Sequence, residues 1–216
     1  MREAFHKELA RLDEEVVRMG ALVEQSTQMV TTALIEGDKA LAQQVVDGDQ
    51  AIDEVFLDIE TRALTLLAQQ APVAGDLRLI VAVLRVVNDL ERAGGLCHNI
   101  AKIVLVEDFR QPGLKGVKAL VSELGPSAGR LIAHALDAWA AKDEQLAADL
   151  ALQDDVIDEL HAELLEKLVE LKGQQVLGPA LRLALVGRYL ERIGDHAVNM
   201  GEQVRYLVTG EDKYLG

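Results

Sequence analysis

Carboxylate pairs with helical spacing are the residues of this sequence whose type and position most clearly suggest chemistry. Three pairs of acids lie four residues apart: Asp49 with Asp53, Asp154 with Asp158, and Glu191 with Asp195. Residues four apart on an α-helix lie one above the other, so the two carboxylates of a pair can bind one cation together. His161 continues the row of Asp154 and Asp158 at the next turn. Two such helices packed side by side could surround a metal ion with oxygen ligands and an imidazole.

A second interpretation of the same pairs is a solvated acidic face. The sequence contains 36 acidic residues, so pairs with this spacing arise often from composition alone. Neighbouring cations such as Arg188, Arg192 and Lys167 would then neutralise the carboxylates as ordinary surface ion pairs. Spacing alone therefore leaves both a metal site and a solvated face open.

The elements that must hold these acids are predicted to be helices throughout. Aromatic residues make up only 3% of the sequence, and strong helix formers dominate it. Apolar residues recur with helical spacing in six long stretches: 2–36, 38–70, 75–107, 116–141, 143–172 and 177–209. The breaks fit helix ends, with Gly37 as a stop before the N-cap Asp38, a tight turn over 72–75, and Pro179 in the first turn of the last helix.

The sequence also repeats itself. Two blocks recur in the same order: 49–54 aligns with 154–159, and 90–94 aligns with 190–194, the latter reading Leu-Glu-Arg-x-Gly in both copies. The second alignment continues to Asn99 over Asn199. Each block falls on the equivalent helix of its half. We therefore predict an all-α fold, a tandem repeat of two three-helix bundles, with the first bundle in residues 1–110 and the second in 111–216.

The last helix carries its acids on the side opposite its apolar seam. Apolar residues between 183 and 207 recur in steps of three and four, which is typical of packing in a bundle. The opposite face carries a polar stripe: Arg188, Glu191, Asp195, Asn199 and Glu202. We expect this stripe to point away from the core, with His196 about a quarter-turn from it. Cys97 falls on the seam of the third helix and is expected to be a small buried residue.

The net charge limits the partners that the chain can bind. With 36 acidic and 22 basic residues the formal charge is -14, and no lysine- or arginine-rich tract provides a local exception. Nucleic acids and anionic lipids are therefore disfavoured, whereas metal cations and basic patches of proteins fit the charge. The N-terminus is unlike a secretory signal, no stretch is apolar for long enough to insert into a membrane, and one cysteine suits a reducing compartment. We expect a cytoplasmic protein.

No catalytic residue is predicted from the sequence. It contains no Ser-His-Asp grouping, Gly-rich phosphate loop or Cys-x-x-Cys pair. A carboxylate-bridged metal-dependent enzyme would also be a helical bundle, but it needs Glu-x-x-His on central helices. The only such motif runs from Glu3 to His6, at the chain end. That enzyme and a metal-free structural helical adaptor are two functions that a helical bundle of this kind leaves open.

Two motifs give the chain a family resemblance. Residues 70–78 read Gln-Ala-Pro-Val-Ala-Gly-Asp-Leu-Arg and are followed by Asp-Leu-Glu-Arg at 89–92. Residues 188–199 read Arg-Tyr-Leu-Glu-Arg-Ile-Gly-Asp-His-Ala-Val-Asn and run into Tyr-Leu-Val-Thr-Gly at 206–210. Together with the duplicated three-helix architecture, these motifs resemble the PhoU family of phosphate-signalling regulators over nearly the whole chain.

The resemblance implies regulation rather than catalysis. PhoU-like proteins are cytoplasmic, are often homodimers, and restrain phosphate uptake and the phosphate-starvation response. They act as adaptors between the ATP-binding subunit of a phosphate ABC transporter and a sensor histidine kinase.

The resemblance also implies a cofactor, because some members carry iron or zinc clusters on Glu/Asp-x-x-x-Asp motifs. In the second half of this chain the implied metal ligands are Asp154, Asp158, Glu191 and Asp195. In the first half Asp49 and Asp53 match the motif. Glu91 is followed by Gly95 instead of an aspartate, so a cluster is expected on the second bundle rather than on the first.

Overall fold

The computed structural model describes residues 2–211, which form six long α-helices and contain no β-strand. The helices are α1 (Arg2–Glu36), α2 (Lys39–Gln70), α3 (Ala74–Val106), α4 (Lys115–Ala141), α5 (Glu144–Glu170) and α6 (Gln174–Thr209). A short 3-10 turn, Pro112–Leu114, precedes α4. The predicted all-α fold of six long helices in a tandem repeat is confirmed, and most helix ends agree within one or two residues. The predicted boundary between 110 and 111 lies in the connection from α3 to α4 and stays a prediction as a domain boundary.

The repeat is visible in the turns that open the second helix of each half. Asp38 and Asp143 are the N-caps of α2 and α5, and each carboxylate accepts hydrogen bonds from two backbone N–H groups of the first turn. The residue before each cap, Gly37 or Lys142, has a positive φ, which is the left-handed conformation that ends a helix. The same stop-and-cap device therefore builds both turns.

Two helices begin earlier than the sequence indicates. The predicted tight turn over 72–75 is wrong at its end, because α3 already begins at Ala74. Pro179 lies inside α6 rather than in its first turn, since α6 begins at Gln174. The physical reason is packing: Val176 is buried and lies close to Gly113, so the first turn of α6 is held against the chain that connects the two halves.

The two halves share one core. In the described part of the chain α2 packs only on α1 and α3, and α5 packs only on α4 and α6. The other four helices pack on each other across the halves, α1 on α4 and α3 on α6, and we call them the central four-helix core. Buried apolar residues from all six helices form one continuous cluster. The acid-bearing helices α2 and α5 therefore lie on the two outer flanks of the molecule.

Close approach of α1 and α4 depends on small residues. Gly20 lies against Leu136, and Gly125 lies against Thr31, which shows that the two helices run antiparallel. A Cβ at either glycine would overlap the facing side chain. Trp139, the single tryptophan, is fully buried near the end of α4. No described helix is both long and apolar enough to span a bilayer.

Candidate functional site

The predicted ligands of the second half lie where α5 and α6 pack against each other. Three glycines of α6 fix this packing: Gly187 lies against Leu164, Gly194 against Asp154 and Ile157, and Gly201 against Leu150. The pairs show that the helices are antiparallel and that their backbones are close. The mid-helix glycines of the repeated motif are thus explained, because a side chain there would push the helices apart. Ile52 lies against Gly94 in the first half in the same way.

The structure brings Asp154, Asp158, Glu191 and Asp195 together into what we call the acid furrow. Asp158 and Asp195 are exposed, and Asp154 is partly buried. Glu191 is only 9% exposed. The prediction that the stripe of α6 points wholly away from the core is therefore wrong, because α5 covers Glu191 from one side. The stripe also reaches the other half, since Asn199 contacts a residue of α3.

The carboxylates of the acid furrow carry more negative charge than their surroundings neutralise. Burial, and then Asp158, Asp195 and Glu191, raise the pKa of Asp154 to about 7. Burial and Asp195 raise the pKa of Glu191, although its Oε1 accepts a hydrogen bond from Arg188. Asp154 Oδ1 and Glu191 Oε2 are both buried and have no hydrogen-bond partner. A proton or a cation would remove this repulsion.

Within residues 2–211, no three His, Cys, Asp or Glu side chains are arranged closely enough to hold a metal ion. The donor set nevertheless suits a hard or borderline cation, because it consists of carboxylates with unpartnered oxygens. His161 lies beside Gly187 at one end of the furrow, and burial, together with Arg188, lowers the pKa of its imidazole. The metal site and its ligands stay a prediction.

The corresponding site of the first half is built differently. Asp49 Oδ2 lies 2.9 Å from His98 Nδ1, though without the alignment of a hydrogen bond, and Asp53 is exposed. Burial raises the pKa of Asp49, and His98 opposes this effect. Burial, and then Asp53, raise the pKa of Glu91, which is partly buried. No atom lies within 4 Å of a Cβ added at Gly95, so space for the missing aspartate exists.

A buried polar contact between the halves was missed from the sequence. His196 Nδ1 lies 2.9 Å from Asp89 Oδ1, and Asn199 donates a longer hydrogen bond of 3.4 Å to the same oxygen. His196 is only 7% exposed, and its Nε2 has no hydrogen-bond partner. His196 was expected a quarter-turn from the acid stripe, but its partner comes from α3. Only the packing of α3 on α6 reveals the pair.

Other polar contacts line the interface of α3 and α6 and show that these helices are antiparallel. Arg85 donates a hydrogen bond of 3.2 Å to Gln203 and lies over the ring of Tyr206. At the far end Arg182 pairs with Glu107. The repeats are thus joined by a polar interface along α3 and α6 in addition to the shared apolar core.

Comparison with family profiles finds the same domain in both halves of the sequence. A profile described as the PhoU domain matches residues 16–104 and 121–204. The chain is 37% identical over 219 residues to the phosphate-specific transport system accessory protein PhoU homolog of Pseudomonas putida, covering 99% of this chain and 84% of the relative. It is 33% identical over 210 residues to the phosphate-specific transport system accessory protein PhoU homolog 2 of Mycobacterium tuberculosis, covering 97% and 99%.

Comparison of structures agrees with the comparison of sequences. The crystal structure of PhoU from Pseudomonas aeruginosa superposes with a TM-score of 0.89 at 32% identity, covering 96% of this chain and all of that one. The phosphate transport system regulatory protein PhoU from Streptococcus pneumoniae superposes with a TM-score of 0.87 at 28% identity, covering 96% and 98%. Because profile matches, sequence identity and fold agree over nearly the whole length, the chain belongs to the PhoU family.

Proposed function

We propose that this chain is an accessory regulator of phosphate transport that restrains phosphate uptake and phosphate-starvation signalling. In this proposal it is a cytoplasmic adaptor, which contacts the ATP-binding subunit of a phosphate ABC transporter and a sensor histidine kinase. The observation that supports it best is full-length similarity to phosphate-specific transport system accessory proteins. Two flanks, each with its own partly buried acids, offer separate surfaces for two partners.

An enzymatic function is supported less well. The only Glu-x-x-His motif of the sequence, Glu3 to His6, begins α1 and is exposed, far along the chain from the acid furrow. The acids of the furrow lie between α5 and the outer side of α6, and not inside the central four-helix core, where di-metal oxidases hold their ligands. We therefore propose binding rather than catalysis.

A pull-down tests the adaptor proposal. The full-length chain is immobilised and offered the purified transporter ATPase and the kinase's cytoplasmic part, at 150 mM salt. Both are expected to be retained, and the acidic surface predicts weaker retention as the salt concentration rises. Bovine serum albumin serves as a control for unspecific retention. If neither partner is retained, the regulatory proposal fails.

We further propose that the acid furrow binds iron or zinc. Asp154, Asp158, Glu191 and Asp195 would supply the oxygens, and the metal's positive charge would offset their repulsion. In the first half Asp49, Asp53 and Glu91 support a metal less well, because Gly95 stands where the aspartate partner of Glu91 would be.

Metal analysis tests the second part of the proposal. The purified wild-type protein is expected to retain iron or zinc, and the Glu191→Ala/Asp195→Ala variant is expected to lose it. The Asp155→Ala/Glu159→Ala variant removes two exposed acids of α5 from outside the furrow and is the matched control. Melting temperature with and without added zinc gives a second readout. Full metal retention by the Glu191→Ala/Asp195→Ala variant would contradict this site. Equal stabilisation by zinc of this variant and of the Asp155→Ala/Glu159→Ala control would contradict it as well.

The oligomeric state is part of the proposal as well. We propose a homodimer, on the resemblance to the family, and light scattering after size exclusion measures it directly. A mass near 23.5 kDa at all concentrations would identify a monomer and contradict it.

A further inference from the structure

An exposed apolar surface adjoins the acid furrow at the end where α5 turns into α6. It consists of Leu165, Val169, Leu177 and Leu181, which are 41%, 86%, 60% and 62% exposed. Large apolar side chains scattered singly over a surface are ordinary, but several on the outward faces of two adjacent helices, beside acids, are a candidate binding surface. We call these four residues the apolar end of the furrow.

The apolar end and the acids lie on the same outer surface. On α6, Leu177, Leu181 and the acids Glu191 and Asp195 fall within about 80° of the helix circumference, at 100° per residue. On α5, Leu165 and Val169 fall within about 20° of Asp158. The antiparallel packing places Leu164 against Gly187, so the C-terminal turns of α5 lie level with the first turns of α6. The furrow therefore changes from acidic to apolar along about 27 Å, the length of 18 helical residues.

The first half repeats two of these four positions, whereas Leu165 corresponds to Glu60 and Leu181 to the partly buried Val81. The alignment of the second helices places Leu64 at the position of Val169, and that of the third helices places Leu77 at the position of Leu177. Both residues are exposed, by 51% and 39%. Two helix pairs whose acids differ thus keep exposed leucine or valine at the same two positions.

The charge of the second flank selects the kind of partner. Helix α5 carries nine acidic residues and a single lysine, Lys167. That lysine already pairs with Glu170, and Arg188 of α6 pairs with Glu191, which leaves Arg192 as the other cation near these acids. An anionic lipid surface or a second copy of this furrow would meet like charge here. A partner with positive charge opposite the acids and apolar side chains opposite the leucines is complementary.

We infer that the outer surface of α5 and α6 is, in the metal-free chain, a docking surface for an amphipathic helix of a partner protein, with a basic end on Asp158 and Asp195 and an apolar end on Leu177 and Leu181. A metal ion on the same two carboxylates would compete with the basic end. An amphipathic helix laid along this surface matches both its length and its division into two parts. The inference rests on the proposed adaptor function for its biological sense, and it names the surface and the chemistry of the partner. The complementarity of charge and of apolar side chains on which it rests does not depend on which protein supplies the helix.

A synthetic peptide tests the surface directly. The probe is an 18-residue fluorescent helix with lysines in its first two turns and leucines at helical spacing in its last two, and binding is followed by fluorescence anisotropy. We expect binding in the micromolar range that weakens as salt is raised. A peptide with glutamates in place of the lysines, and one with the same composition in scrambled order, are expected to bind at least tenfold more weakly.

Matched variants locate the peptide on the chain. Leu177→Ala/Leu181→Ala and Asp158→Asn/Asp195→Asn are each expected to weaken binding at least tenfold, and the second also to flatten its salt dependence. Leu152→Ala is the control, because Leu152 is 70% exposed on α5 but lies about 100 to 140° around the helix from the apolar end. Equal loss in the control, no loss in either double variant, or undiminished binding of the glutamate peptide would overturn the inference.

Two further measurements separate the other occupants and the proposed function. Dimerisation that Leu177→Ala/Leu181→Ala abolishes would identify the furrow as an interface between copies, and binding of phosphatidylglycerol vesicles through it would identify a lipid surface; either result overturns the inference. The pull-down is repeated with the same variant. If the variant no longer binds the peptide but still retains the ATPase and the kinase, the adaptor function is supported and this surface plays no part in it. If the wild-type chain binds the peptide but retains neither the ATPase nor the kinase, the docking surface is supported and the adaptor function fails.

Discussion

The carboxylate of Asp154 lies directly over Gly194, so that a Cβ added to the glycine would overlap Asp154 Oδ1. The absence of a side chain at position 194 lets α5 approach α6 closely enough to bury this acid. Burial is the largest cause of the raised pKa of Asp154, followed by Asp158 of the same helix and by Asp195 and Glu191, which this closeness brings near. A packing residue of the repeated motif therefore creates the electrostatic character of the acid furrow.

The pH dependence of stability follows from Asp154. Because its pKa of about 7 in the folded chain exceeds that of an unfolded aspartate, the folded state binds this proton more tightly. The contribution of Asp154 to stability is complete below about pH 4 and is lost as the pH rises through 7. In metal-free protein, Asp154→Asn is expected to reduce this fall and to stabilise the chain by about 1–2 kcal/mol at pH 8.

Urea denaturation at several pH values measures this effect. The control is Asp155→Asn, which removes a neighbouring exposed charge and is expected to change the pH dependence much less. An Asp154→Asn variant with the wild-type pH profile would contradict the assignment.

Close packing of α5 on α6 predicts the effect of enlarging Gly201. A Cβ there would overlap the side chain of Leu150 and lie 3.0 Å from the backbone oxygen of Ala147, which cannot move aside easily. Gly201→Ala is therefore expected to cost about 1–3 kcal/mol, or a drop of several degrees in melting temperature. Gly95→Ala meets no atom within 4 Å and is expected to stabilise its helix by up to about 1 kcal/mol. Equal melting temperatures of the two variants would be incompatible with this packing.

The contact between Asp89 and His196 predicts coupling between the halves. Asp89→Ala is expected to cost about 1–3 kcal/mol, since it leaves a buried imidazole without its partner. The double variant Asp89→Ala/His196→Leu has no buried imidazole that needs a hydrogen-bond partner. Its loss in free energy of unfolding is therefore expected to be smaller than the sum of the losses of the two single variants. Arg182→Ala removes an exposed arginine of the same interface and is expected to cost under about 1 kcal/mol. Strict additivity of the pair would show that the contact contributes nothing.

Cys97 is expected to report on opening of the core. Its side chain is fully buried beside Thr27, and burial raises the pKa of the thiol to about 12. The thiolate that reacts with Ellman's reagent is therefore rare at pH 8, and access is blocked as well. We expect labelling to proceed at the rate of unfolding and to accelerate with urea. Complete labelling within seconds in native buffer would contradict this burial.

The fold was predictable because its signals are local. Helical periodicity gave six helices, and the two N-caps Asp38 and Asp143 lie where expected. The burial of Cys97 is confirmed as well. The start of α6 was not predictable, because it depends on Val176 packing against a chain segment more than 60 residues away. Local pattern carries no information about such a contact.

The candidate site was predictable in part. Helical spacing identified the acids that meet between α5 and α6, since both members of each pair lie on one helix. The burial of Glu191 and the pairing of Asp89 with His196 were not predictable. Both depend on how a helix is rotated against a neighbour, and a single helix's pattern does not determine this rotation.

The central four-helix core takes two helices from each repeat and leaves α2 and α5 outside it. One repeat alone would expose the faces of its first and third helices that now meet the other repeat. It could cover them only by pairing with another repeat in the same antiparallel arrangement. The chain therefore has the architecture of a symmetric dimer whose two subunits have been joined end to end. A gene fragment encoding residues 1–110 is expected to yield a self-associating or insoluble product, not a stable monomer.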